Sequence, residues 1–247
     1  MTTETSCAHH PRRESLAQCY HCQASICGGC HNVDLLGRAI CAPCLEARVV
    51  PTIPWETTDS LSSAFSGALE TWWQVLRHPR RFWQSYRAST HWVFPSLFAV
   101  ASIALGLFFS SFWQRQLSPD YADHLLRLQD TIGLSIPALE FLLVASLPLT
   151  ALILFGIHSL SLLFSLRLFQ IQRATWTDVA QISGYSCAAF LWLIIPPIAD
   201  FGLGQFMLIL WLFNLEVTAL RLRYRLGFWT SILIVFPPLL LLLLFVG

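Results

Sequence analysis

The chain contains no lysine: all fifteen of its basic residues are arginine, set against fourteen acidic residues over 247 positions. Charged residues make up only 12% of the sequence, and a net charge of +1 provides no dense basic face for nucleic-acid phosphates. So little charge beside 55% hydrophobic residues also argues against an ordinary water-soluble domain of this length. No G-x-S-x-G or comparable setting surrounds Ser183 or Ser186, the serines an intramembrane hydrolase built on His158 would need. The chain is therefore not expected to be an enzyme. The amino terminus is polar, and the first apolar run is too long and too far along to be a cleavable signal, so that run is expected to serve as its own.

What is abundant is apolar length. Five stretches, at about 93–113, 139–166, 179–198, 201–220 and 228–246, each approach the ~20 residues that cross a hydrocarbon core of about 30 Å at about 1.5 Å per residue. A backbone in lipid must satisfy its own hydrogen bonds, so all five are expected to be helical, with Pro148 kinking the second. The expected fold is an all-α membrane bundle of five transmembrane helices over residues 91–247, carrying a small metal-binding module at 1–48. The arginines set the orientation. Arg77, Arg80, Arg81 and Arg87 precede the first span, Arg167 and Arg173 lie between the second and third, and Arg221, Arg223 and Arg225 between the fourth and fifth. Basic flanks stay on the cytoplasmic side, which places the amino terminus inside and the carboxyl terminus outside.

Residues 49–58, with Pro51 and Pro54, read as a short stiff linker, and Asp59 as a helix cap. Within 59–90, Leu61, Phe65, Leu69, Trp72 and Leu76 recur at helical spacing, which predicts an amphipathic helix lying on the membrane. Packing of that helix on the soluble module is the alternative. Beyond Pro79, Arg80, Arg81, Phe82, Trp83, Tyr86 and Arg87 supply the aromatic and basic mixture favoured at a headgroup boundary.

Seven of the eight cysteines fall in residues 1–48, where four ligand pairs are each separated by two residues: Cys7 and His10, Cys19 and Cys22, Cys27 and Cys30, Cys41 and Cys44. A two-residue gap lets a tight turn aim both side chains at one metal, so eight ligands predict two closed, structural Zn2+ sites. The segment also needs metal. Its apolar inventory is little more than Leu16, Ile26, Val33, Leu35, Leu36, Ile40 and Leu45, and so small a core rarely folds alone. Disulfides would need an oxidising compartment, a thiol-redox motif a βαβ frame, and an iron–sulfur centre would not explain His10 in a regular pair. Four pairs match in sequential, crossed or nested fashion; the short gap between Cys22 and Cys27 disfavours nesting. Formal charges within 1–48 cancel, and two zinc ions with seven thiolates leave about −3, which favours a protein surface over nucleic acid as partner.

The cysteine spacing resembles the B-box family of cross-braced zinc modules. That resemblance implies crossing, with Cys7, His10, Cys27 and Cys30 on one zinc and Cys19, Cys22, Cys41 and Cys44 on the other. B-boxes often finish with histidines where this chain has Cys41 and Cys44, so His9 and His31 are kept as substitute ligands. From Trp72 onward the chain looks like the YIP domain family, five-span proteins whose eukaryotic members interact with Rab-type GTPases. The residues that carry the likeness are Leu76-Arg77-His78-Pro79-Arg80-Arg81-Phe82-Trp83, Pro95-Ser96-Leu97-Phe98 at the start of the first span, and Gly184-Tyr185-Ser186 in the third. Joined to a B-box-like module the layout is similar to bacterial members, which implies the inner membrane and no catalysis.

Four ionisable residues, Glu140, His158, Asp178 and Glu216, fall in or beside the spans, where charge is expensive and marks a site by default. Pairing of Glu216 with Arg221, about a turn away, is one expectation; a cytoplasmic-side cluster of His158, Asp178 and Glu216 is the other. Ala180, Gly184 and Ala188 form a small-residue face for close packing of the third span, and Cys187 reads as a small buried residue. The expected function is that of an inner-membrane scaffold or adaptor whose zinc module recruits a cytoplasmic or membrane protein, a homo-oligomer included. A transporter or facilitator of ion or lipid movement using the polar cluster is the alternative.

Overall fold

The computed structural model describes residues 6–20, 22–33, 39–46, 53–57, 60–85, 91–197 and 202–246. Two short antiparallel hairpins open the chain. Strand β1 (Ala17–Gln18) pairs with β2 (Ser25–Ile26), β3 (His31–Val33) pairs with β4 (Ala39–Cys41), and helix α1 (Ala42–Glu46) follows. Strands of two or three residues are not stable alone in water. Among the described residues of the expected apolar inventory, Ile26 and Ile40 are fully buried and Leu16 is 74% exposed, so buried cysteines form most of this core.

The remainder is helical. Helices α2 (Leu61–Arg77) and α3 (Pro79–Ser85) precede α4 (Val93–Leu117), α5 (Tyr121–Ile132), α6 (Ile136–Leu168), α7 (Trp176–Ser186), α8 (Leu203–Tyr224) and α9 (Phe228–Val246). Three of these, α4, α6 and α8, are long and apolar enough to cross a membrane. They coincide with the first, second and fourth expected spans. Helix α6 has 33 residues, about 50 Å at about 1.5 Å per residue, and it runs unbroken through Pro148. The fifth expected span is the shorter α9, which contains Pro237 and Pro238.

The third expected span differs from a continuous helix: α7 gives way after Ser186 to a 3-10 helix, Cys187–Ile194, packed between α4 and α8. Close backbone contact accompanies this change. A Cβ on Gly106 of α4 would lie 2.5 Å from the Phe190 carbonyl oxygen, and one on Gly184 of α7 would lie 2.6 Å from that of Pro95. Ala180 and Ala188 are also fully buried, and it is Gly184 that brings the small-residue face against α4.

The start of α2 is capped by Ser60, whose side chain accepts from the Ser63 backbone N–H while the Ser63 hydroxyl accepts in return from the Ser60 N–H. Asp59, the expected cap, lies outside the described residues. The apolar stripe of α2 divides. Ala68, Thr71 and Val75 are buried and Trp72 donates from Nε1 to Ser102 Oγ at 2.8 Å, whereas Phe65, Leu69 and Trp73 remain exposed. Only 53–57 of the expected linker are described. They are docked: Trp55 donates from Nε1 to the Phe94 carbonyl (2.9 Å), and Glu56 accepts from the Tyr185 hydroxyl (2.6 Å). Burial raises the Glu56 carboxyl above its ordinary range, against the opposing pull of Tyr185 and His91.

Candidate metal centres

Local turns aim the ligand pairs. The His10 N–H donates to the Cys7 carbonyl and the Cys30 N–H to that of Cys27, closing a tight turn around each pair. The hairpins then bring the turns together. Cys7, His10, Cys27 and Cys30 form one group and Cys19, Cys22, Cys41 and Cys44 another, with the ligand atoms of each within 4.8 Å of one another. The grouping is interleaved: first pair with third, second with fourth. Neither group includes His9 or His31.

The distances suit a tetrahedral ion. A Zn–S bond of about 2.3 Å places two sulfurs about 3.8 Å apart around a tetrahedron. Cys7 Sγ is 3.9 Å from Cys30 Sγ, and Cys22 Sγ is 3.6 Å from Cys41 Sγ. His10 Nδ1 lies 3.1 Å from Cys30 Sγ and 3.6 Å from Cys27 Sγ, so it is this ring nitrogen that faces the cluster. These sulfur separations far exceed a disulfide bond, and every cysteine is a free thiol.

The donors cannot ionise together without a cation. Burial opposes ionisation of Cys7, but hydrogen bonds with the backbone of His9 and Cys27 and with the His10 ring hold its thiol at about 6. Cys30 is pushed up to about 11, first by burial and then by its neighbours Cys7 and Cys27. Cys44 is pushed up by its sulfur contacts with Cys41 and Cys22 and by burial. In the second group the Cys41 N–H donates to Cys19 Sγ and the Cys44 N–H to Cys41 Sγ, yet burial still pushes the Cys41 thiol up. Two clusters of four soft donors, each crowded to bonding range, are suited to hold a metal ion.

No family model, curated protein or solved structure matches the chain. Its residues must therefore carry the functional reading alone.

The charged residues of the bundle pair differently from the expected cluster. His158 Nε2 and Glu216 Oε1 lie 2.6 Å apart, both buried, joining α6 to α8. Glu216 therefore pairs across the bundle rather than with Arg221, whose guanidinium sits over the Phe228 ring. Asp178 is not brought to this pair. It closes a capping box with Thr175 at the start of α7 and binds Arg223 of α8. Glu216 Oε2 has no hydrogen-bond partner among the described residues. Two clefts open near the C-terminal end of α4, and neither is lined by His158 or Glu216. Glu140, in the first turns of α6, lies 3.4 Å from Arg115 of α4. The Glu56–Tyr185 and Asp178–Arg223 contacts carry no local sequence signal, because their partners are 129 and 45 residues apart.

Proposed function

We propose that the protein is a non-enzymatic membrane adaptor whose amino-terminal module, folded around two zinc ions, recruits a cytoplasmic protein partner. The observation that carries this reading is the closure of both donor sets at four ligands, which leaves no position for a water nucleophile or a substrate and makes the metals structural. The module then serves as a surface. Leu16 (74%) and Tyr20 (53%) project from it as large exposed apolar side chains, and with metal bound its charge is about −3. Such a face suits a protein partner and repels nucleic acid.

The bundle holds the module at the bilayer. The arginine pattern supports an amino terminus in the cytoplasm, and the apolar composition of α7 with its 3-10 extension and of α9 supports these as two further spans. Ion movement is the weaker reading, because His158 and Glu216 are both fully enclosed between helices and engage each other. The test is affinity purification of the full chain and of a chain lacking residues 1–48 from the same membranes. Partners that co-purify only with the full chain support the adaptor; identical partner sets contradict it.

A further inference from the structure

The larger of the two clefts, about 670 Å³, lies between α4, α5 and α6, and its chemistry is graded along its length. At one end stand Arg115, Asp120 and His124, with Glu140 facing them from α6. Leu107 and Phe108 of α4 and Leu147 of α6 line it further along both helices. Leu107 is eight residues back from Arg115, and Leu147 seven residues on from Glu140. At about 1.5 Å per residue the cleft thus runs some 10–12 Å from its charged rim into apolar surroundings. That is a large fraction of one leaflet, about 15 Å of a core about 30 Å thick. Its walls are open to the side, since Phe112, Leu143 and Val144 are each 41–49% exposed on the apolar surface of two spanning helices.

We propose that this cleft binds one phospholipid bearing a primary-amine, zwitterionic headgroup of the phosphoethanolamine type. The acyl chain follows Leu107, Phe108 and Leu147, and the headgroup sits at the rim. Both signs of charge at the rim select the headgroup. Arg115 is 56% exposed on its side chain and only loosely engaged by Glu140 at 3.4 Å, so its guanidinium keeps N–H groups to donate to a phosphate. Glu140 and Asp120 accept from an ammonium. A phosphoglycerol headgroup would set its uncompensated negative charge beside those two carboxylates. A trimethylated choline has no N–H to donate to them. The volume falls in the range of small-molecule sites, which are mostly apolar with a few converging polar groups. The inference is independent of the zinc module and of the adaptor reading.

The test uses the full chain in phosphatidylcholine nanodiscs doped with a phosphatidylethanolamine whose acyl chain carries a photoactivatable group; crosslinked residues are mapped by mass spectrometry. Residues 107–112 and 143–150 are expected to be labelled about tenfold above the exposed Leu152, Leu160 and Phe164 surface of the same helix. Leu147→Trp, which fills the cleft floor, should remove that excess. Glu140→Gln, an isosteric change at a partly exposed position, should reduce it and weaken the preference over phosphatidylglycerol of the same acyl chain. Even labelling along α6, which denotes boundary lipid only, would overturn the proposal. So would equal labelling by the phosphatidylethanolamine and phosphatidylglycerol probes, or retention of the excess in Glu140→Gln.

Discussion

At the scale of single residues, the buried His158–Glu216 contact shows how context decides what a charge does. Five residues separate Glu216 from Arg221 along one helix, yet the glutamate points into the bundle and meets an imidazole on another helix. Removing one partner strands the other, so His158→Ala is expected to destabilise the bundle by about 3–5 kcal/mol. Replacing both by leucine should be close to neutral; thermal unfolding followed by tryptophan fluorescence compares the variants. A double variant as damaged as the single one would show that the pair does more than satisfy itself. Glu56 makes a second prediction, on pH. Its folded-state pKa is raised, so its contribution to stability is fully present below the ordinary value of 4.5 and is lost as pH rises through the higher folded value. Glu56→Gln, which mimics the protonated form, should flatten the pH dependence of unfolding in that window, and an unchanged slope would assign it elsewhere.

Among the elements, sequence periodicity and spacing carry different amounts of information. The ligand pairs were legible because two-residue gaps are local, and both four-ligand groups are drawn from those pairs. Three spans were legible because long apolar runs have one economical conformation in lipid. The change from α7 to a 3-10 helix was not, because it coincides with close packing against α4 and α8, which no local pattern records. The α2 stripe was legible only as a stripe. Its division into a face docked on α4 and an exposed Phe65–Leu69–Trp73 face depends on the clasp at 53–57 and on Trp72 reaching Ser102. The α4–α7 seam gives the matching prediction: Gly184→Ala drives a methyl against the Pro95 backbone and should cost about 1–3 kcal/mol. A fully stable variant would mean that the two backbones separate freely. At the α2 start, Ser60→Ala should cost about 1 kcal/mol through the lost cap, read as faster amide exchange in the first turn.

For the whole molecule, a small head with two fully buried aliphatic side chains among its described residues and two sulfur-rich clusters that could hold metal is joined to an apolar helical body. Structural zinc would supply what so small a core lacks: its apparent binding free energy is about 10–16 kcal/mol in zinc-finger peptides, more than burial of Ile26 and Ile40 can provide. Chelation should therefore unfold the head while leaving the helices intact. The most direct measurement is the metal content of freshly purified full-length chain, by elemental analysis per mole of protein. Two zinc ions per chain are expected, falling to one when Cys19 and Cys22 are both replaced by serine; a chain that carries no zinc, or that keeps both ions in that variant, would contradict a head folded around two metal sites.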